Sequence, residues 1–338
     1  MTAPLIILSS HFGKNFSGGT LATHEIFFHL QHHFSKVIFL GKKVGIHQFN
    51  HLEFLPYRNV IDACQKLRLL RKSYPKAVFF GDFYMSYFFT MVGVQFFFAY
   101  HDNWPEMQQF GWKNRLRSRL YVPLYHRIIS KAQWTFTVSD FKLSYVRKIS
   151  DRSSLVRNGT SLDRLAIKDN EIRQRPKILM LGNIDDRKYG LAVAFFARLS
   201  AEGCSLEIHI HGHELDKKLG NQLRQFAFVK IHGFTNSLDW NQYDALLSTS
   251  KMENLAISVV EALKMGIPVF GFDVGGLKEV VKNDVNGFLA PLKQHSLLLD
   301  KLLRFEDFKH LKGDEVNLKE FDWKLASRRY QEKIFEHA

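Results

Sequence analysis

The sequence predicts an α/β protein made of two Rossmann-like domains, each with a parallel sheet covered by helices. Three observations support this class. The chain has 338 residues, about the length of two domains. Short apolar runs alternate with longer amphipathic stretches in both halves, which is typical of parallel β–α units. The charge also divides: residues 1–170 hold 23 basic and 10 acidic residues, and residues 171–338 hold 24 and 23.

Five apolar runs in each half are predicted as strands. Those of the first half are Leu5–Ser9, Lys36–Leu40, Ala77–Gly81, Val94–Tyr100 and Trp134–Val138. Those of the second half are Lys177–Leu181, Leu206–Ile210, Val229–Ile231, Ala245–Leu247 and Pro268–Phe272. Helices are expected between them, for example over Leu191–Ala201 and Ile257–Met265. The polar segment Asn158–Pro176 is the expected linker, so we place the domains at residues 1–165 and 172–320.

One uncharged segment, Phe83–Tyr100, approaches the length of a membrane span. Gly93 interrupts it, and Asp82 and Gln95 would be poorly placed in lipid. We therefore predict a buried strand, a short aromatic helix over Phe83–Val92 and a second strand.

Composition excludes several classes of protein. The hydrophobic fraction of 46% and the eight prolines argue against a disordered or fibrous chain. Cys64 and Cys204 lie in different halves, which excludes a disulfide framework and a cysteine metal cluster. The N-terminus reads as a first strand and not as a signal peptide, so a cytoplasmic protein is expected.

The segment Ser248–Val281 contains the richest set of polar groups. Glu253 lies just before an apolar helical pattern, and Glu261 lies within it. A helix start offers free N–H groups and a partial positive charge, which suit a phosphate. Two flanking carboxylates can accept hydrogen bonds from the hydroxyls of a sugar or ribose.

This segment resembles the signature of family 4 glycosyltransferases, the retaining enzymes of the GT-B fold, and in particular their bacterial polysaccharide and lipopolysaccharide branch. The signature comprises a serine-containing loop, Glu253, seven residues, Glu261-Ala262, then Gly266-Ile267-Pro268-Val269 and Gly275-Gly276 with Glu279. Weaker similarities extend over nearly the whole chain. Phe321–Ile334 is similar to the last helix of the family, which crosses back, so the first domain is expected to include residues 321–338. The resemblance implies two domains that face a central cleft.

The resemblance also implies roles for individual residues. Glu253 would hold hydroxyls of the donor sugar and Glu261 the ribose, while Lys188 would hold the donor diphosphate. The other implied donor-binding residues are Gly182, Gly212, Gly233, Asn254, Leu255 and Ala256. One departure stands out, because Asn183 occupies the position of a family arginine that holds the diphosphate. Either Arg187 or a cation of the first domain substitutes for it, or donor affinity is lower.

Two features of the first half lie next to predicted strands. Gly18 and Gly19 follow the first strand and precede a helix that is predicted to begin near Leu21. Glycines at a helix start let the backbone approach a ligand closely. A G-x-G-x-x-G pattern is missing, which argues against a dehydrogenase. His101 follows the strand that ends at Tyr100. In the resembled family, the glycine loop lines the donor phosphates and acceptor, and the histidine contacts the transferred sugar.

The excess positive charge falls on two amphipathic stretches, Arg58–Lys76 and Trp112–Lys131. The second carries Lys113, Arg115, Arg117 and Arg119 among aromatic and aliphatic residues. This composition favours an anionic membrane surface or an anionic acceptor. The alternative is an ordinary solvated helix face. No nucleic-acid motif accompanies the charge, so we do not expect a nucleic-acid partner.

The resemblance thus implies a retaining glycosyltransferase that moves a sugar from a UDP- or GDP-linked donor to a glycan, and the charge of the first half favours a lipid-linked or lipopolysaccharide-type acceptor. No Asp-x-Asp motif occurs, and neither a metal nor a separate cofactor is expected. The expected location is the inner face of the cytoplasmic membrane. Two alternatives remain: a nucleotide-sugar epimerase of the same fold, and a non-catalytic membrane-associated partner of a glycosyltransferase.

Overall fold

A computed structural model describes residues 3–160, 162, 175–235, 237–308, 311 and 318–337. The chain forms two compact units, residues 1–159 with 319–338, and residues 160–318. The domain limits placed at residues 165 and 172, and most of the expected linker, lie outside the described residues.

The first unit is built on a seven-stranded parallel sheet. The strands of this unit are β1 (Leu5–Leu8), β2 (His11–Phe12), β3 (Val37–Gly41), β4 (Lys43–Val44), β5 (Leu52–Pro56), β6 (Val78–Asp82), β7 (Phe97–Tyr100), β8 (Trp134–Thr137) and β9 (Ser153–Leu155). Strands β2 and β4 pair with each other and do not belong to the seven-stranded sheet. The strand order is β5-β3-β1-β6-β7-β8-β9. Every residue of β1, β3 and β6 is buried, as expected for a parallel sheet with both faces covered.

The α-helices between the strands of the first unit are α1 (Gly18–Leu30), α2 (Val60–Ser73), α3 (Tyr87–Val92), α4 (Trp112–Lys131) and α5 (Asp140–Arg147). The sequence predicted that α1 begins near Leu21, which is wrong by three residues. Ser17 caps the helix, because its hydroxyl accepts from the N–H of Thr20 and its own N–H donates to the Thr20 hydroxyl. The glycine pair therefore forms the first turn of α1.

The second unit has a six-stranded parallel sheet in the order β12-β11-β10-β13-β14-β15. Its strands are β10 (Lys177–Leu181), β11 (Glu207–His211), β12 (Val229–Gly233), β13 (Ala245–Ser248), β14 (Val269–Asp273) and β15 (Gly287–Pro291). Its helices are α6 (Asp186–Tyr189), α7 (Ala192–Ala201), α8 (Lys217–Leu223), α9 (Ile257–Lys264) and α10 (His295–Leu303).

The last helix, α11 (Trp323–His337), returns to the first unit and packs against α1 and β8. The Tyr330 ring stacks on Phe136 with 3.8 Å between centroids, and the Ser327 hydroxyl donates to the carbonyl of Ile26 at 3.1 Å. The predicted return of the last helix is confirmed.

All ten predicted strands are present, and the uncharged segment forms the predicted strand, short helix and second strand. The helix is shorter than the predicted Phe83–Val92, because Phe83 lies in a turn, Tyr84–Ser86 form a 3-10 turn and α3 begins at Tyr87. Gly93, with φ +69°, ends α3, and β7 follows. Within the described ranges, no helix has both the length and the apolarity needed to cross a bilayer. The strands that the sequence did not reveal are short or lie at edges. For example, β5 is largely exposed and ends in Pro56, and β15 begins in glycine and ends in proline.

Candidate active site

Each sheet has a switch point, where the chain stops adding strands on one side of the first strand and begins to add them on the other side. In the second unit, the strands after β10 are added on one side as β11 and β12, and then on the other side as β13, β14 and β15. The loops that follow β10 and β13 therefore diverge and leave a crevice at the carboxyl ends of the strands. Ligands of open parallel sheets bind in such crevices. In the first unit the corresponding point lies between β1 and β6.

The crevice of the second unit contains a buried carboxylate with two cations. The Glu253 Oε1 atom accepts from the Arg187 guanidinium at 2.8 Å and from the Ser250 hydroxyl at 2.9 Å. The Lys188 Nζ atom lies 3.3 Å from the same oxygen. Arg187 also donates to the carbonyl of Met252 at 3.0 Å. Arg187 and Lys188 are thus not an ordinary solvated loop pair, and three of the predicted site residues lie together.

The electrostatics of this cluster keep Glu253 ionised. Burial by itself would raise the pKa of Glu253. The charges of Arg187 and Lys188, with the hydrogen bonds from Arg187 and Ser250, outweigh burial and hold the pKa at about 2. The buried Glu253 carboxylate is therefore paired with two cations on the neighbouring loop.

Two glycines make room for the cluster. Gly182 directly follows β10 with φ +129°, and a Cβ there would lie 2.7 Å from the Lys188 side chain. Gly275 has φ +58°, and a Cβ there would collide with the Glu253 carbonyl. The next residue, Gly276, donates its N–H to the Asn254 carbonyl at 2.9 Å. The glycines that the sequence singled out thus hold the backbone around Glu253 and Lys188.

The start of α9 lies directly after this cluster. Asn254, Leu255 and Ala256 connect Glu253 to the helix, and no side-chain hydrogen bond caps the helix at Ala256. Glu261 lies in the second turn of the helix and is half-buried. Burial raises the pKa of Glu261 to about 7, against the opposing charge of Lys264. Near neutral pH this carboxyl can exist in either protonation state.

The neighbouring strand ends carry an aromatic pair that the sequence analysis did not assign. His213 follows β11 and Phe234 follows β12, and each comes directly after a glycine, Gly212 or Gly233. The two rings are stacked, with centroids 4.4 Å apart and planes 8° apart, and Phe234 is 43% exposed. The signal that could have revealed the pair is the ring that follows each strand-end glycine. Asn183 lies half-buried in the loop after β10.

The first unit brings Gly19 and His101 together. A Cβ on Gly19 would lie 2.7 Å from the Phe83 ring and 3.1 Å from the His101 Cβ atom. His101 follows β7, as predicted. Burial lowers the pKa of its imidazole to about 4, so the ring is neutral at physiological pH. No sequence pattern marks Phe83 as a site residue.

The loop after His101 is anchored by two residues that sequence reasoning also missed. The Tyr125 hydroxyl donates to the Asp102 carboxylate, and the buried Lys142 ammonium donates to the Trp104 carbonyl at 2.7 Å. Lys142 also forms an ion pair with Glu106. The sequence around Lys142 contains no pattern that indicates its distant partner, the carbonyl of Trp104.

The first half of α4 projects into solvent. Lys113, Arg115, Arg117 and Arg119 are all exposed, whereas Ser118 faces the interior. Between the basic residues runs an exposed apolar stripe with a spacing of four residues, made of Trp112, Leu116 and Leu120 at 71%, 57% and 65% exposure. The stripe points away from the core, and basic residues flank it on both sides.

Residues 164–314 match the family model described as "Glycosyl transferases group 1". The chain is 23% identical over 205 residues to WcaL of Escherichia coli strain K12, which is named for colanic acid biosynthesis. That alignment covers 55% of this chain and 50% of WcaL. The chain is also 25% identical over 171 residues to the amylovoran biosynthesis glycosyltransferase AmsK of Erwinia amylovora, and this alignment covers 46% of this chain and 42% of AmsK. The alignments thus span about half the length of these relatives.

Solved structures share the fold over nearly the whole chain. Sucrose-phosphate synthase of Thermosynechococcus elongatus has a TM-score of 0.81 at 14% identity, covering 99% of this chain and 98% of the other. Anabaena Alr3699/HepE in complex with UDP-glucose has a TM-score of 0.73 at 15% identity, covering 98% and 99%. The lipopolysaccharide outer core galactosyltransferase WaaB has a TM-score of 0.69 at 14% identity, covering 99% and 100%.

The fold and these similarities define a protein class. Two Rossmann-like parallel sheets with a returning last helix are the architecture of the GT-B glycosyltransferases, and the predicted fold class is confirmed. The chain carries a group 1 glycosyl transferase domain over residues 164–314. The resemblance to glycosyltransferases is confirmed at this level, while the assignment to family 4 and the cleft between the domains stay predictions.

The buried ion pair should contribute strongly to stability. We expect Arg187→Met to lower the free energy of unfolding at pH 7 by about 3 kcal/mol, since the buried Glu253 charge loses a partner. Folding lowers the Glu253 pKa from 4.5 to about 2. The stabilisation is therefore complete above pH 4.5 and is lost as the pH falls toward 2. Urea unfolding at several pH values measures it.

The matched control is Arg224→Met, which breaks the exposed pair with Glu214 in the same unit. It should change the free energy of unfolding by less than about 1 kcal/mol. An equal loss of unfolding free energy in both variants would contradict the buried ion pair. So would a difference between Arg187→Met and the wild type that does not become smaller as the pH falls toward 2.

Proposed function

We propose that this chain is a retaining glycosyltransferase that moves a sugar from a nucleotide-sugar donor to a glycan acceptor in bacterial polysaccharide or lipopolysaccharide synthesis. The observation that carries the proposal is the Glu253, Arg187 and Lys188 cluster at the crevice of the group 1 domain. The names of WcaL, AmsK and WaaB support the acceptor class, and the UDP-glucose complex of HepE supports the donor class.

In this proposal the donor diphosphate binds the side chains of Lys188 and Arg187 and the N–H groups at the start of α9. Lys188 and Arg187 supply the charge, which compensates for Asn183 at the position where the resembled family has an arginine. Fixed cations beside the leaving group stabilise the charge that develops on it during transfer, and no metal is needed for this role. A UDP- or GDP-linked sugar meets these requirements.

The two glutamates would bind hydroxyl groups. Arg187, Ser250 and Lys188 all contact the Oε1 atom of Glu253. We propose that Oε2 accepts from hydroxyls of the donor sugar. Glu261 would accept from the ribose. The exposed Phe234 face, stacked on His213, suits the flat surface of a nucleobase.

The proposed reaction proceeds on one face of the donor sugar. The bond from the anomeric carbon to the phosphate oxygen breaks, and the acceptor oxygen bonds to that carbon from the same side. The acceptor proton passes to the departing phosphate, so neither glutamate acts as a nucleophile. The neutral His101 of the first unit would contact the transferred sugar near the reacting carbon.

The first unit would meet the acceptor and the membrane that carries it. Residues 1–159 with 319–338 hold 26 basic and 12 acidic residues, a net charge of +14, whereas residues 160–318 hold 21 of each. The whole excess charge thus belongs to the unit that contains α4. An apolar stripe with basic residues on both sides suits the interface of an anionic membrane, where each cation contributes about 1 kcal/mol.

Nucleotide-sugar binding is the direct test of this function. A thermal-shift series with UDP-, GDP- and ADP-linked sugars should give one class that stabilises the protein, by about 2.7 kcal/mol at one hundred times its Kd. Lys188→Met should weaken that binding tenfold or more, since a charged hydrogen bond contributes about 1.5–3 kcal/mol. Lys218→Met, at an exposed position of the same unit, is the control.

Stabilisation by none of these donors, or equal binding by the Lys188 and Lys218 variants, would contradict the donor site. Chromatography of the reaction products separates the alternatives. A donor that changes its sugar configuration without an acceptor would indicate an epimerase.

Donor affinity should depend on the ionisation of Glu261. Its pKa of about 7 means that raising the pH from about 6 to 8 converts the carboxyl to the carboxylate, the stronger acceptor for ribose hydroxyls. We expect nucleotide-sugar affinity, measured by calorimetry, to rise over this range. The phosphates of a nucleotide sugar do not titrate there, so the change reports on the protein.

Glu261→Gln keeps the size of the side chain and removes its titration. In this variant the affinity should be lower and independent of pH over the same range. A wild-type affinity that does not change, or a pH dependence that survives in Glu261→Gln, would refute the assignment.

Membrane binding should require both the charge and the apolar stripe of α4. Co-sedimentation with vesicles containing phosphatidylglycerol should be strong for the wild type and should fall as salt is raised. Replacing Arg115, Arg117 and Arg119 by Gln, or Leu116 and Leu120 by Ser, should each reduce it several-fold. The control replaces Arg68, Arg71 and Lys72 of α2 by Gln, which removes the same number of charges.

Equal binding to neutral and anionic vesicles would contradict the electrostatic part of this proposal. Equal losses in the α2 and α4 charge variants would show that net charge, and not the α4 surface, is responsible.

A further inference from the structure

The backbone of the first unit is strained at its own switch point. Phe83 directly follows β6, and β6 and β1 are the two strands between which the chain changes direction. Phe83 has φ +54° and ψ −173°, a conformation that glycine adopts readily and other residues rarely do. Outliers of this kind persist where the surrounding structure enforces them, and they concentrate at functional sites.

The residues on both sides of Phe83 enforce its conformation. The Thr23 hydroxyl of α1 donates to the Asp82 carboxylate at 2.8 Å, and this carboxylate is fully buried. The Ser86 hydroxyl donates to the Asp82 carbonyl at 3.1 Å, and the Ser86 N–H donates to the Phe83 carbonyl at 3.3 Å. These hydrogen bonds connect the turn after β6 to α1 and close the turn internally, and thereby hold the backbone of Phe83 in its strained conformation.

The strained backbone directs the ring to the two predicted site residues of this unit. A Cβ on Gly19 would lie 2.7 Å from the Phe83 Cζ atom, so the ring lies directly against the first turn of α1. The ring centroid also lies 6.1 Å from that of His101. Phe83 therefore contacts the glycine turn and lies beside the imidazole that follows β7.

We propose that Phe83 is a positioning residue, whose strained backbone keeps its ring against Gly19 and beside His101 and thereby fixes both groups and excludes water from the imidazole. The ring has no group that can transfer a proton or donate to a phosphate. Its effect passes through His101, whose imidazole it helps to keep neutral, and through the turn that begins α1. The inference rests on the proposed function for its effect on transfer, but not for its effect on His101.

Three variants separate the ring from the strain. Phe83→Ala removes the ring and keeps a Cβ at positive φ. Phe83→Gly removes both the ring and the strain, and Phe83→Leu retains apolar bulk as the matched control. We expect the glycine variant to melt at a higher temperature than the alanine variant, because glycine adopts this backbone conformation without strain.

The second readout is the titration of His101, followed by NMR of histidine-labelled protein and assigned with His101→Gln. In the wild type the pKa should be near 4, because burial disfavours the charged ring. In Phe83→Ala and Phe83→Gly water reaches the imidazole, and the pKa should rise toward the ordinary 6.5. In Phe83→Leu it should stay low.

The third readout is sugar transfer. We expect kcat to fall about tenfold in the alanine and glycine variants, a moderate loss of positioning. The donor KM should change less than kcat does, because the two cations and the two glutamates proposed to bind the donor belong to the second unit.

If Phe83→Gly melts at a lower temperature than Phe83→Ala, the inference of a strained backbone at Phe83 is wrong. If the titration of His101 is unchanged in both variants, the positioning role of Phe83 is wrong. A wild type without transfer activity would refute the proposed function while leaving these two measurements decisive for Phe83.

Discussion

The burial of the Glu253 charge is the constraint on which the site of the second unit depends. An unpaired carboxylate at this depth would take up a proton, and here Arg187 and Lys188 prevent it. Several local features follow from that requirement. Gly182 has no side chain because the Lys188 side chain occupies the space, and Gly275 has none because the Glu253 carbonyl does. The motif residues are therefore parts of one arrangement around a single charge.

The first unit solves a related problem without a charge pair. Its switch point contains the buried Asp82, whose pKa burial raises to about 7, and the strained Phe83 beside it. Asp82 ties β6 to α1 through Thr23, and Phe83 places an aromatic ring against the first turn of α1 and beside His101. In both units, residues at the switch point hold a glycine turn close to the groups assigned to the site.

The sequence predicted the parts of this structure that have a periodic or local signal. Ten strands were apparent because buried parallel strands are continuous apolar runs. Lys188 was named from the resemblance to the glycosyltransferase family, and the same resemblance added to the positions of Glu253 before a helix and His101 after a strand. Pairings between distant segments have no such signal. The contact of Arg187 with Glu253 joins residues 66 apart, and that of Lys142 with Trp104 joins residues 38 apart. The positive φ of Phe83 was also unpredictable, because its residue type argues against that conformation.

The distribution of charge gives the two units different physical tasks. The second unit has no net charge, so its attraction for an anion comes from two partly buried cations at fixed positions. Salt screens such short, partly buried interactions only weakly. The first unit carries all of the net charge, and the residues of α4 that hold part of it are exposed, where salt screens them strongly. Recognition in the second unit therefore depends on geometry, whereas attraction to the first depends on the field of its surface, which acts over about 10 Å and tolerates a mobile partner. Under the proposed function, the soluble nucleotide sugar would need the first kind of recognition, and an acceptor confined to a membrane surface would need the second.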